Sequence, residues 1–165
     1  MKKNGDEIHV RIAEVKTGRL GEVLKVTLGS CVGILFKNKK TQTYGLAHCL
    51  LPKGHFKRCE ISAKYVDHAI ESLIEILDIT KSEYAEIEVS IFGGANMMKD
   101  VLHTSISQVG LMNIESAKNK LNELGFSIVS EDVGGYKGRK VVVYTINNKV
   151  EIIYLDKVSK LNEAA

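Results

Sequence analysis

The chain has a single proline, Pro52, and no repeated or low-complexity segment, so nothing in it reads as a linker between domains. Long hydrophobic runs are missing too. None approaches the roughly 20 residues that a membrane-spanning helix requires, and Met1 to Asp6 lacks the apolar stretch of a signal peptide. There is no excess of one charge: 23 basic and 20 acidic residues are interspersed, giving a formal net charge of +3 with no basic stripe to suit nucleic acid. Cysteine is scarce and odd in number, with three thiols in a chain that reads as intracellular, where thiols stay reduced. These absences predict a cytoplasmic protein with no membrane insertion, no nucleic-acid partner, no disulfide framework, and thiols free for chemistry.

What is present is 165 residues with 44% hydrophobic content, enough to bury a core. We expect one domain over 1–165, its core spanning about 8–155. Ile8, Val10 and Ile12 alternate with polar residues, which predicts a strand over 8–15. Further extended segments are expected at 23–28, 31–36 and 44–51, the last two pairing antiparallel across a polar turn at 37–41. Helical spacing of Val66, Ala69, Ile70, Leu73, Ile74 and Leu77 predicts a helix over 63–79 capped by Ser62. A second helix is expected over 114–124, with Asn113 as N-cap and Gly125 as stop. Strands at 87–92, 126–130, 140–146 and 150–155 complete the pattern, the last two joined by Asn147-Asn148. Two helices among many strands, several joined by hairpins, imply an α+β fold with mixed sheets covered by helices.

The stretch Thr27-Leu-Gly-Ser-Cys-Val-Gly33 sets one cysteine on a glycine-bounded turn after a strand. Such a cysteine is a core hydrophobe, a metal ligand or a nucleophile. As a nucleophile it needs a base, because an ordinary thiol is mostly protonated at neutral pH. His9, His48, His55, His68 and His103 are the candidates. His48 stands out, since it ends the strand expected to lie beside the one that Cys31 begins. His68 falls on a helix, where packing or surface exposure explains it. The set His48, Cys49, His55 and Cys59 is compact but lacks the paired spacing of zinc ligands. Cys49, next to His48, should point to the opposite strand face, and Cys59 should sit in a polar loop. Gly29-Ser30 allows a sharp turn from which backbone N–H groups can address an oxyanion.

In order, TLGSCVGI, GLAHCLLP, AKYVDHAI, VSIFGGANMM, VGLMNIESAKNKLNELGF and SEDVGGYKGRKVVVYTINNKVEI resemble the CheD chemoreceptor glutamine deamidases over about residues 8–155. The resemblance implies a cytoplasmic protein-glutamine glutaminase that converts selected glutamines of methyl-accepting chemotaxis receptors to glutamate, releasing ammonia. It implies a layered fold similar to the cysteine deamidase domain of cytotoxic necrotizing toxins, no cofactor, no metal, and a CheC-type phosphatase as partner. Cys31 matches the family nucleophile and His48 its general base. The family's third residue is a threonine that orients the histidine. Ungapped counting puts Lys25 there, whereas a two-residue shortening puts Thr27 there, and Thr27 is the expected counterpart. A second departure is Met112, where the family commonly has arginine in Gly-x-Arg-Asn. An alternative implied by these departures is a catalytically weak CheD-like regulator of the phosphatase.

Overall fold

The structure, a computed structural model, describes residues 5–98 and 108–156. His103 lies outside the described residues. Among the described residues, two sheets and two α-helices stack as three layers. The first sheet is four-stranded, in the order β1 (Glu7–His9), β3 (Val23–Leu28), β8 (Arg139–Tyr144) and β9 (Lys149–Tyr154), with β1 parallel to β3 and the rest antiparallel. The second is five-stranded, in the order β2 (Val15–Gly18), β5 (Thr43–Cys49), β4 (Val32–Asn38), β6 (Ile87–Gly93) and β7 (Ser127–Val133), with β7 parallel to β6. Helices α1 (Val66–Ile76) and α2 (Val109–Leu124) cover the outer face of this second sheet. The α+β expectation with mixed sheets holds.

The inner strands β4 and β5 of the five-stranded sheet are buried on both faces, which is why they read as nearly unbroken apolar runs rather than alternating ones. Val32, Ile34 and Phe36 of β4 face the helices, joining Ala69, Ile70 and Leu73 of α1 and Ala117 and Leu121 of α2. Cys31 and Leu35 face the other way, toward Leu24, Val26 and Leu28 of β3, with Tyr44, Leu46 and Phe92 beside them. Burying each such side chain contributes about 1.5–3 kcal/mol. Two cores therefore sit on either side of one central sheet.

Several expected boundaries shift, each for a physical reason. The strand expected over 8–15 is two strands in different sheets. The chain bends between them at 10–14, with Ala13 at φ 69°, and leaves Ile12 exposed. Helix α1 starts at Val66 with Tyr65 as N-cap, and Ser62 is no cap. Its backbone N–H donates to the Ser72 hydroxyl, and its own hydroxyl accepts from the Lys64 N–H. A 3-10 helix at Lys81–Glu86, closed by a Thr80/Glu83 capping box, was not expected. Helix α2 begins five residues early, at Val109, so Asn113 is a fully buried residue inside the helix and not its cap. The early start is possible because Gly110 seats the helix against backbone. A Cβ there would stand 2.5 Å from the Gly94 carbonyl oxygen and 2.6 Å from that of Ala95. Gly125 ends α2 in the left-handed region, as expected.

Candidate active site

The turn that carries Cys31 links the two sheets: β3 ends at Leu28, Gly29-Ser30-Cys31 bend, and β4 begins at Val32. Three successive carbonyls of this turn are tied back. The Gly29 carbonyl accepts from the Ala95 N–H at 3.0 Å, that of Ser30 from Asn113 Nδ2 at 3.1 Å, and that of Cys31 from the Gly94 N–H at 2.8 Å. The left-handed Gly93 and Gly94 make this close approach possible, since a Cβ on Gly93 would lie 2.3 Å from the Cys31 oxygen.

His48 pairs with Gly33 across the β4/β5 ladder, and directly opposed residues share a sheet face. It alternates with Leu46 and Tyr44, both in the inter-sheet core that also holds Cys31. The sulfur and the imidazole thus sit on one face, with Cys31 two residues before Gly33, the partner of His48, and diagonal neighbours at that offset lie about 7–8 Å from each other. Both are nearly covered, with Cys31 7% and His48 5% exposed. No hydrogen bond joins them at rest. The ring bonds instead at Nδ1 to the Val10 carbonyl, 3.1 Å away.

The bend at 10–14 wraps the end of β5. Besides the Val10 contact, the Ala13 N–H donates to the His48 carbonyl at 2.9 Å and the His48 N–H to the Glu14 carbonyl at 3.0 Å. A carbonyl only accepts, so Nδ1 carries the proton and Nε2 is left as the basic nitrogen. Burial pulls the imidazole below its ordinary 6.5, outweighing the Val10 carbonyl and Glu14, which act the other way. Burial also pushes the Cys31 thiol up to about 11. Both groups are therefore neutral at rest near pH 7.

Thr27 is placed differently. Val26 and Leu28 point into the inter-sheet core, so Thr27 and Lys25 face outward. Thr27 is exposed and makes no hydrogen bond to His48, although both line an open cleft of about 660 Å³ with Val10. Lys25 pairs with Glu7 at 2.8 Å. The backbone bond from Val10, not a threonine hydroxyl, orients the ring in this structure.

The other candidates are dispersed. Cys49 is fully buried on the helix side of the sheet, opposite His48, and burial raises its thiol strongly. Cys59 and His55 are exposed. His9 is exposed with Glu7 at 3.9 Å. His68 is buried, its Nε2–H donating to the Phe56 carbonyl at 2.9 Å within a cluster of Phe56 and Tyr65 rings. Among the described residues no group of three or more His, Cys, Asp or Glu side chains converges as metal ligands would.

Asn113 is the residue whose part in the site went unread. Its Nδ2 reaches both the Ser30 carbonyl and, at 3.2 Å, the Leu50 carbonyl just beyond β5. The only hint in the sequence was an asparagine near a helix start, where capping is the commoner role.

Comparison with known proteins gives a consistent match. The family model described as CheD chemotactic sensory transduction matches residues 50–153. A "Probable chemoreceptor glutamine deamidase CheD 2" from Ruegeria sp. is 35% identical over 162 residues, covering 88% of this chain and 90% of that protein. A "Probable chemoreceptor glutamine deamidase CheD" from Archaeoglobus fulgidus is 37% identical over 151 residues, covering 91% and 94%. Among solved structures, YlmD from Geobacillus stearothermophilus shares 14% identity at a TM-score of 0.47, covering 74% of this chain and 51% of that one.

Proposed function

The chain belongs to the CheD family, and from that premise we propose that it hydrolyses the side-chain amide of glutamines in chemoreceptors, with Cys31 as nucleophile and His48 as base and acid. The observation that carries the mechanistic part is the common face of Cys31 and His48, with Nδ1 already engaged by Val10 and Nε2 left free. Two neutral partners suit acyl transfer well. The Cys31 proton passes to His48 Nε2 as sulfur attacks the amide carbon, so negative charge develops on the substrate oxygen and positive charge on the imidazole. Backbone N–H groups of the 29–31 turn face that oxygen. The imidazolium then returns its proton to the departing nitrogen, which leaves as ammonia, and a thioester remains. Water deprotonated by His48 attacks the thioester, the thiolate is reprotonated by His48, and glutamate is released.

The orienting role that the resemblance gives to threonine falls, in this reading, to the Val10 carbonyl, with Thr27 at the rim of the cleft. A protein substrate fits the surroundings. Leu111, Met112 and Met98 are exposed, and Met97 lies against Gly29 beside the Cys31 turn. Apolar side chains displayed around a reactive turn suit contact with another protein. We place the reaction in the cytoplasm, with a CheC-type phosphatase as a regulatory partner, on the family resemblance. No helix among the described residues is long and apolar enough to cross a membrane.

The test is ammonia release from a receptor fragment bearing the target glutamines. Cys31→Ala should abolish it while the circular dichroism of the fold is kept. Full turnover in that variant would contradict the reading.

A further inference from the structure

We infer that Asn113 is a positioning residue of the oxyanion site, its Nδ2 locking the Ser30–Cys31 peptide so that the Cys31 N–H faces the attacked carbonyl. The inference rests on the function proposed above and assigns a part in it to a side chain on a different element.

In a trans peptide the C=O and the following N–H point in opposite directions, and none of the described peptides is cis. Holding the Gly29 carbonyl on Ala95 therefore directs the Ser30 N–H away from the bend after β6, and holding the Ser30 carbonyl on Asn113 directs the Cys31 N–H away from that side chain. Among the described residues neither N–H has a hydrogen-bond acceptor. The tethers on Gly29 and Cys31 are backbone N–H groups of Ala95 and Gly94, supplied by the glycine bend after β6. The tether on Ser30 is the one that comes from a side chain.

The chemistry of the position narrows the side chain. Both partners, the Ser30 and Leu50 carbonyls, only accept, so one atom must supply two N–H donors. An amide nitrogen does so, a hydroxyl offers one hydrogen, and a carboxylate offers none. The same two bonds tie the Cys31 turn to the end of the strand carrying His48, which fixes donor and base in one frame. Asn113 Oδ1, meanwhile, is buried with no hydrogen-bond partner among the described residues. A residue kept only to fill space would avoid an orphaned acceptor, so the amide is retained for its donor side.

The experiment uses the full chain on a receptor fragment. Asn113→Ala should lower kcat about 10- to 100-fold, less than the roughly 10²–10³ that removing an oxyanion donor itself costs, with KM within threefold. Alkylation of Cys31 by iodoacetamide without substrate should stay within threefold of the unsubstituted protein, because the thiol's surroundings are untouched. Asn113→Ser, with one donor, should fall between. A folded Asn113→Ala with kcat within threefold would overturn the inference, and so would a parallel collapse of kcat and alkylation. If neither variant folds, side-chain amide exchange in the unsubstituted protein decides: slow exchange of both Asn113 Nδ2 protons supports the clamp, and exchange at the rate of an exposed asparagine overturns it. Turnover surviving in Cys31→Ala would instead overturn the underlying function, a result distinct from either.

Discussion

His48 holds its ring by a bond from Nδ1 to the carbonyl of Val10, 3.1 Å away, on a bend that crosses from one sheet to the other. A side chain cannot remove this support, since the acceptor is backbone. The tautomer that leaves Nε2 without a proton is thereby set by the path of the chain.

Thr27→Ala is expected to leave catalysis nearly intact. Its side chain faces outward on β3 and makes no bond to the ring. A loss in kcat of no more than about fivefold should follow, against the 10²–10⁴ that a disabled general base costs. Steady-state kinetics on a receptor fragment would check this, and a thousandfold loss would return the orienting role to Thr27.

The reactivity of Cys31 should rise steadily with alkaline pH. Burial holds the thiol near 11 and no imidazole bond draws it down, so the thiolate fraction grows about tenfold per pH unit between 7 and 10. Alkylation rates should follow, with no plateau near neutrality. A plateau there would mean a resting thiolate–imidazolium pair. The same shift has a stability sign. The unfolded thiol loses its proton first, near 9.0, so the native state holds the proton more tightly and its stability declines as pH climbs from 9 toward 11. Chemical denaturation of Cys31→Ala should show a shallower decline than the unsubstituted protein.

Activity should persist below the usual histidine range on the acid side. His48 sits below 6.5 because of burial, so the acid limb of kcat/KM should fall at a lower pH than 6.5. A pH–rate profile measures it directly, and an acid limb above 6.5 would argue for a charged neighbour at the ring.

Gly110→Ala should disturb stability and chemistry together. The added Cβ meets two backbone oxygens that cannot step aside, at 2.5 and 2.6 Å, so the first turn of α2 must move and carry Asn113 with it. A loss of about 1–3 kcal/mol in urea unfolding is expected, with reduced kcat in the fraction that remains folded. Cys49→Ser offers the contrast. It buries a hydroxyl on the helix side of the sheet, and should lose about 1–3 kcal/mol while leaving kcat unchanged.

Much of the fold was legible because periodicity reports burial. The strand at 23–28, the antiparallel pair that follows Cys31 and carries His48, and the helix stop at Gly125 all follow from patterns of a few residues. The opposite facing of His48 and Cys49 needed only strand alternation. What escaped was decided by contacts distant in sequence. Alternation at 8–12 suggested one strand, yet Ala13 takes a positive φ that no local residue announces, and the bend it makes cradles His48. Asn113 looked like a cap because its partners, Ser30 and Leu50, lie 83 and 63 residues away. That Cys31 and His48 share one sheet face was legible as strand adjacency, whereas the Val10 oxygen that holds the imidazole was not.

Mass spectrometry of a receptor fragment incubated with the purified protein, side by side with Cys31→Ala and His48→Ala, tests the central claim most directly. The account predicts that target glutamines gain the mass difference between amide and acid only with the unsubstituted protein, with ammonia released in equal amount. Conversion at an undiminished rate by either variant would contradict it.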